Sequence, residues 1–142
     1  MTARGTVRTR GRDNKDHEFD YDLDHAVEHD GEFWRYTIRP CNGPLDCFYA
    51  AFKVVGPDRL RVIQIEHNRH PDFEAMGIPE EVFEHVVNES ARRLESSSNK
   101  KAESDEEFRT PSAQRMWERL RLAGRAEFDP DADRFFFIPR RP

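Results

Sequence analysis

Residues 67–138 open as HNRHPDFEAMGIPEEVFEHVV (67–87) and close as TPSAQRMWERLRLAGRAEFDPDADRFFFI (110–138), and the reading of these two pieces decides the fold. The first is a strand end that enters a Gly77-Ile78-Pro79 turn and then a helix. Pro79 suits the first helical position, where a missing N–H costs nothing, and Glu80 and Glu81 stand where the helix dipole favours acids. Val82, Phe83, Val86, Val87 and Leu94 fall on one apolar stripe, which predicts a helix over about 79–95. Ser96 to Ser98 reads as a very short strand ahead of a solvated loop that runs to Asp105. In the second piece Thr110 caps a helix that has Pro111 in its first turn. Ala113, Met116, Trp117 and Leu120 form its stripe, and Gly124 ends it. Ala126 to Phe128 and Phe135 to Ile138 then make a hairpin around the turn Asp129-Pro130-Asp131-Ala132-Asp133.

Upstream the period changes from helical to alternating. Phe19, Tyr21, Leu23 and Val27 take odd positions while Asp20, Asp22, Asp24 and Glu28 take even ones, the signature of a strand with one wet face. Asp30-Gly31 suits a tight hairpin, and Trp34, Tyr36 and Ile38 alternate with Arg35, Thr37 and Arg39 beyond it. Strands one and two therefore pair antiparallel. After a turn-rich stretch from Pro40 to Asp46, the run Cys47 to Val55 is apolar on both faces apart from Lys53. Gly56-Pro57-Asp58 then reverses the chain into Leu60 to Glu66. These two runs are expected as central strands covered on both sides. The sum is an α+β fold: a mostly antiparallel sheet of about six or seven strands with two main helices.

Composition sets the partners. At 142 residues with eleven Phe, the chain is long enough for one domain with a sizeable core. Met1 to Lys15 carries Arg4, Arg8, Arg10 and Arg12 and almost nothing apolar, so residues 1–15 are expected to be a disordered basic tail ahead of a single domain at 16–139. A net charge of -5 argues against nucleic acid and anionic membrane as partners. No run reaches the length of a membrane-spanning helix, and with no apolar signal stretch the expectation is a cytoplasmic protein whose Cys41 and Cys47 are free thiols. Nineteen of the twenty-three basic residues are arginine; the lysines are Lys15, Lys53, Lys100 and Lys101. Phe135-Phe136-Phe137-Ile138 has no polar side, so this strand needs a central place in the sheet or cover from a second copy of the chain, a homo-oligomer.

From residue 47 to 138 the element order resembles the second half of the GNAT acyltransferase fold. The residues that carry the likeness are Glu66 to Gly77-Ile78, as a strand feeding a turn and helix, and Asn99 followed by Ala113, Trp117 and Gly124. The resemblance implies a diverged GNAT-like, acyl-CoA-dependent N-acyltransferase of unidentified acceptor, with acetyl-CoA or another acyl-CoA as cofactor. It implies that the helix start at Met76, Gly77 and Ile78 binds the cofactor's pyrophosphate through backbone N–H groups, and that Glu66 is the catalytic carboxylate that accepts the amine proton. Pro79 offers no N–H, Glu74 places a carboxylate beside the anion site, and Trp117 stands where the family's tyrosine acid would be. The same residues fit a non-catalytic protein-interaction module of that fold, in which Gly77 permits a turn and Pro79 starts a helix, so the sequence leaves open whether the chain is an enzyme.

Two other constellations are weaker. His67 and His70 near Asp72 and Glu74, and His25 with His29, have no metal-site spacing, so no metal is expected. Helix 110–123 and its hairpin, with Arg115, Arg119, Arg121 and Arg125, could also be a winged-helix nucleic-acid binder, but Glu118, Glu127 and three turn aspartates would face phosphate.

Overall fold

The computed structural model describes residues 2–10, 14–40, 48–67, 77–99 and 109–140. The architecture is α+β, with one eight-stranded, mostly antiparallel sheet and two helices. The strands are β1 (Thr2–Arg10), β2 (Asp16–Glu28), β3 (Gly31–Pro40), β4 (Phe48–Gly56), β5 (Arg59–His67), β6 (Arg93–Glu95), β7 (Ala126–Asp129) and β8 (Arg134–Phe137). Helix α1 (Ile78–Ser90) connects β5 to β6, and α2 (Pro111–Leu122) lies between β6 and β7. The order across the sheet is β1-β2-β3-β4-β5-β6-β8-β7, and only the β5–β6 pair is parallel.

The sheet agrees with the expected α+β fold of about six or seven strands and two helices, and residues 2–10 form its edge strand β1, where the sequence predicts a disordered tail. The cause is a match between two faces. Val7 pairs with Phe19 and is buried, while Arg4, Arg8 and Arg10 stand opposite Asp22, Glu18 and Asp16. Each of these arginines makes an ion pair with its opposite, at 3.1, 2.9 and 3.0 Å. Arginines that look solvated in isolation thus complete the acidic face of β2.

Helix α1 is shorter than the predicted span. It ends where Ala91 turns left-handed at φ 54°, and residues 93–95, not Ser96–Ser98, form the short strand. Leu94 therefore joins the core from β6. Thr110 caps α2 as its sequence predicts, accepting from the Ala113 N–H at 3.1 Å.

The core is aromatic. Phe83 of α1 meets Phe52 edge-on at 5.8 Å and Phe137 at 5.5 Å, and stacks on Trp117 of α2 at 5.2 Å. Trp117 stacks in turn on Phe135 at 5.8 Å, so both helices send rings to one face of the sheet. On the other face, Arg39 pairs with Asp22, and Arg35 binds Glu28 through two hydrogen bonds of 2.9 Å. Strand β8 is flanked by β6 and β7, an interior place that covers both edges of the Phe-rich run.

Candidate active-site cleft

The parallel ladder between β5 and β6 is three residues long: Arg59, Leu60 and Arg61 pair with Arg93, Leu94 and Glu95. Beyond it the strands part. Strand β5 continues to His67, while the chain after Glu95 turns toward β8, with the Ser96 N–H donating to the Phe135 carbonyl at 2.8 Å and the Phe135 N–H to Ser96 Oγ at 2.9 Å. At the root of the fork the Ser97 hydroxyl donates to the Val62 carbonyl at 2.7 Å, replacing the ladder bond that the divergence removes. Ser96, Ser97 and Ser98 are buried. On the other edge of β5 the register with β4 slips between Ala51 and Phe52, so Ile63 is an unpaired bulge residue. Fork and bulge together turn residues 63–66 into one wall of an open cleft.

The cleft has a volume of about 840 Å³. Its β5 wall is Val62 to Glu66, its opposite wall is Ser97 with Arg109, Thr110, Ala113 and Trp117 at the start of α2, and its floor includes Phe33, Lys53 and Asp30. Arg109 is a clamp. Its Nη1 donates to the Ser97 and Asp133 carbonyls, each at 2.6 Å, its Nη2 to Asp133 Oδ1 at 2.9 Å, and its Nε to Gln114 at 2.8 Å. The guanidinium also lies over Phe135, so its charge is spent on joining β6, the β7–β8 turn and α2. Trp117, 1% exposed and stacked between two phenyl rings, is a core side chain that also lines the cleft.

Glu66, the predicted catalytic carboxylate, lines the cleft. It is exposed and accepts from Gln64 Nε2 at 2.9 Å. Tyr49 lies opposite in register; burial raises its hydroxyl pKa, Arg35 works against this, and the Glu66 carboxylate adds to it. Of the predicted cofactor residues, Gly77 and Ile78 are not part of the cleft lining that includes Glu66. Met76 lies outside the described residues. Ile78 is fully buried in the core, and Gly77 is the left-handed N-cap of α1 at φ 73°, with no side-chain cap. A Cβ at Gly77 would stand 2.7 Å from the Arg10 carbonyl oxygen, so the glycine admits the end of β1 as well as the turn.

Lys53, Ser97 and Arg109 join the cleft without having been singled out as site residues. The signal for Lys53 was present, as the lone charge in an apolar strand; Ser97 and Arg109 act through partners distant in sequence. A second polar constellation joins the sheet to α1. His85 lies between Tyr21 Oη, 3.1 Å from its Nε2, and Tyr36 Oη, 2.7 Å from its Nδ1. Burial lowers the His85 pKa, with Glu89 at 3.9 Å working the other way, and burial raises that of Tyr36. His25 stacks on Trp34 at 3.9 Å and meets Glu32 at 2.7 Å. No group of three or more His, Cys, Asp or Glu side chains is arranged to hold a metal among the described residues; His70, Asp72, Glu74, Cys41 and Cys47 lie outside them. No described helix is long and apolar enough to cross a membrane. The hairpin β7–β8 is the sheet's own edge through the β6–β8 pairing, and Arg125 turns inward to Glu84 at 2.7 Å.

No protein-family profile, curated protein or solved structure matches this chain.

Proposed function

We propose that the fork between β5 and β6 holds the extended, amide-bearing arm of an acyl-coenzyme A, and that the chain is a diverged GNAT-like N-acyltransferase. The observation that carries this reading is a parallel strand pair that follows a helical crossover, separates after three residues and leaves main chain at 63–66 facing a cleft of about 840 Å³. Exposed strand edges take extended amide chains as an added strand. Glu66 is the one predicted acid-base residue in the cleft lining, and its exposed carboxylate is placed to receive the proton of an amine approaching from solvent. The departing thiolate takes its proton from water, because Trp117 occupies the position of an acid.

The test is binding first and turnover second. A ligand of the folded state raises its melting temperature with concentration, so acetyl-CoA and longer acyl-CoAs are titrated against the wild type and against Ala113→Trp, which fills the cleft. The expected result is a saturable rise in the wild type that the variant loses. No rise at saturating ligand refutes the reading. Binding without release of thiol in the presence of an amine library marks the non-catalytic module of the same fold, which the Pro79 helix start and the turn of Gly77 toward Arg10 favour.

A further inference from the structure

Lys53 stands at the root of the fork. It pairs across β4–β5 with Arg61, the last residue of β5 that is laddered to β6, and across β3–β4 with Phe33. It is half-buried and lines the cleft together with Val62 and Ser97. The cations around it are engaged: Arg61 with Glu95 at 3.1 Å, Arg35 with Glu28 and Arg109 with Asp133. Among the described residues Lys53 has neither a hydrogen bond nor an ion pair. Two like charges directly opposite in a ladder are a destabilising choice for structure alone. In a chain that otherwise uses arginine for nineteen of its twenty-three bases, the cation here is the kind that can act as a nucleophile.

We infer that Lys53 is a self-acylation site, the acceptor amine built into the cleft; this rests on the acyl-CoA reading above. The Nζ ammonium first gives one proton to Asp30 or to solvent; its lone pair then adds to the thioester carbonyl carbon, a C–N bond forms as the C–S bond breaks, and one of the two remaining N–H protons passes to the departing sulfur, so that coenzyme A leaves as its thiol and the amide keeps the other. Asp30 lines the same end of the cleft, and its neighbour Gly31 packs on the lysine, such that a Cβ there would stand 3.1 Å from Lys53 Cε. No oxidant or further reactant is needed.

The experiment incubates the full chain with acetyl-CoA and follows intact mass and peptide maps, with a thermal shift recorded on the same samples. The expected result is one acetyl group per chain on Lys53, forming faster than on Lys15, Lys100 or Lys101 by roughly tenfold or more, as a positioned amine should. Labelling saturates with acetyl-CoA, is suppressed by desulfo-coenzyme A, and is lost in urea and in Lys53→Arg. Peptide mapping of the wild type keeps the test independent of whether that variant folds. A rise in melting temperature with no adduct, or with even labelling of the four lysines, overturns self-acylation and leaves the cofactor reading standing. No rise and no adduct removes both. Equal labelling of Lys53 by acetyl phosphate shows a merely accessible amine and also overturns the inference.

Discussion

Substituting Glu95 by Gln removes one negative charge from the most enclosed ionic cluster among the described residues. The Glu95 side chain is 1% exposed and accepts from Arg59 Nε at 2.7 Å and Arg61 Nε at 3.1 Å, with Arg134 Nη1 at 3.3 Å. The three arginines differ in burial: 46% of the Arg59 side chain is exposed, against 3% for Arg61 and 9% for Arg134. Arg59 keeps its solvation when the carboxylate goes, so its share is that of a surface pair, under about 1 kcal/mol. Arg61 and Arg134 are held where water does not reach, and removing one member of a buried ionic set costs roughly 3–5 kcal/mol. Gln preserves the shape and one acceptor oxygen, so no cavity term is added and the lower end, about 3 kcal/mol, is expected. For a domain of this size that is a fall in Tm of roughly 10 °C. Urea unfolding followed by Trp fluorescence measures it, with Arg59→Ala as the internal control expected within about 1 kcal/mol of wild type. If Glu95→Gln costs less than about 1 kcal/mol, or Arg59→Ala costs as much as Glu95→Gln, the assignment of the penalty to buried cations that lose their carboxylate is wrong.

Val7→Ala removes buried methyl groups under β1 and should cost about 1–2 kcal/mol in urea unfolding, whereas Arg8→Ala, whose pair with Glu18 is solvent-exposed, should cost under about 0.5 kcal/mol. Equal and negligible effects would return residues 2–10 to the status of a tail. Burial depresses the folded pKa of His85, so the unfolded chain takes up its proton first: stability from this site is complete above the unfolded value of about 6.5 and is lost as pH falls from there through the folded pKa. The groups facing the ring are Tyr21, Tyr36 and Glu89, and comparing unfolding midpoints at about pH 7.5 and 5.5 should give a drop in the wild type that is smaller in His85→Asn; an identical drop in both assigns the pH dependence elsewhere. Under the acyl-transfer reading, Trp117→Tyr should change the rate of thiol release by less than about tenfold, and a gain of roughly a hundredfold would show that a missing acid limits the reaction.

What the sequence conveys about this fold depends on whether a signal is local. Both helix starts are local: Thr110-Pro111 and Pro79-Glu80-Glu81 announce themselves, and α1 and α2 begin within a residue of those marks. The end of α1 is not, because Leu94 fits the helical stripe and the short strand equally well, and the left-handed Ala91 that separates them carries no residue-type signal. Strand β1 was illegible because the value of Arg4 and Arg8 lies in Asp22 and Glu18, which the chain reaches only after a turn. The cleft was half legible. Glu66 could be read from its place at a strand end, but Ser97 and Arg109 act on carbonyls 35 and 12 residues away, and no spacing rule ties a serine run to a strand opening.

This distinction bears on how a missing catalytic residue should be weighed. Protonating a leaving group matters most when that group is strongly basic, its conjugate acid having a high pKa. A thiol titrates near 8.5, so a thiolate departs at neutral pH with little help. What a thioester aminolysis cannot do without is orientation of the acyl carbonyl and hydrogen-bond donors for its developing oxyanion. Under the acyl-transfer reading, the groups proposed for those tasks are main-chain groups of β5 beyond Val62 on the edge turned away from β4, open because the ladder to β6 ends at Arg61, together with Ile63, which the bulge leaves without a β4 partner. The stacked Trp117 and the Arg109 clamp hold that opening in place. On that reading Trp117, standing where the resembled family has its tyrosine acid, weighs little, and the proposed chemistry stands or falls with the separation of two strands.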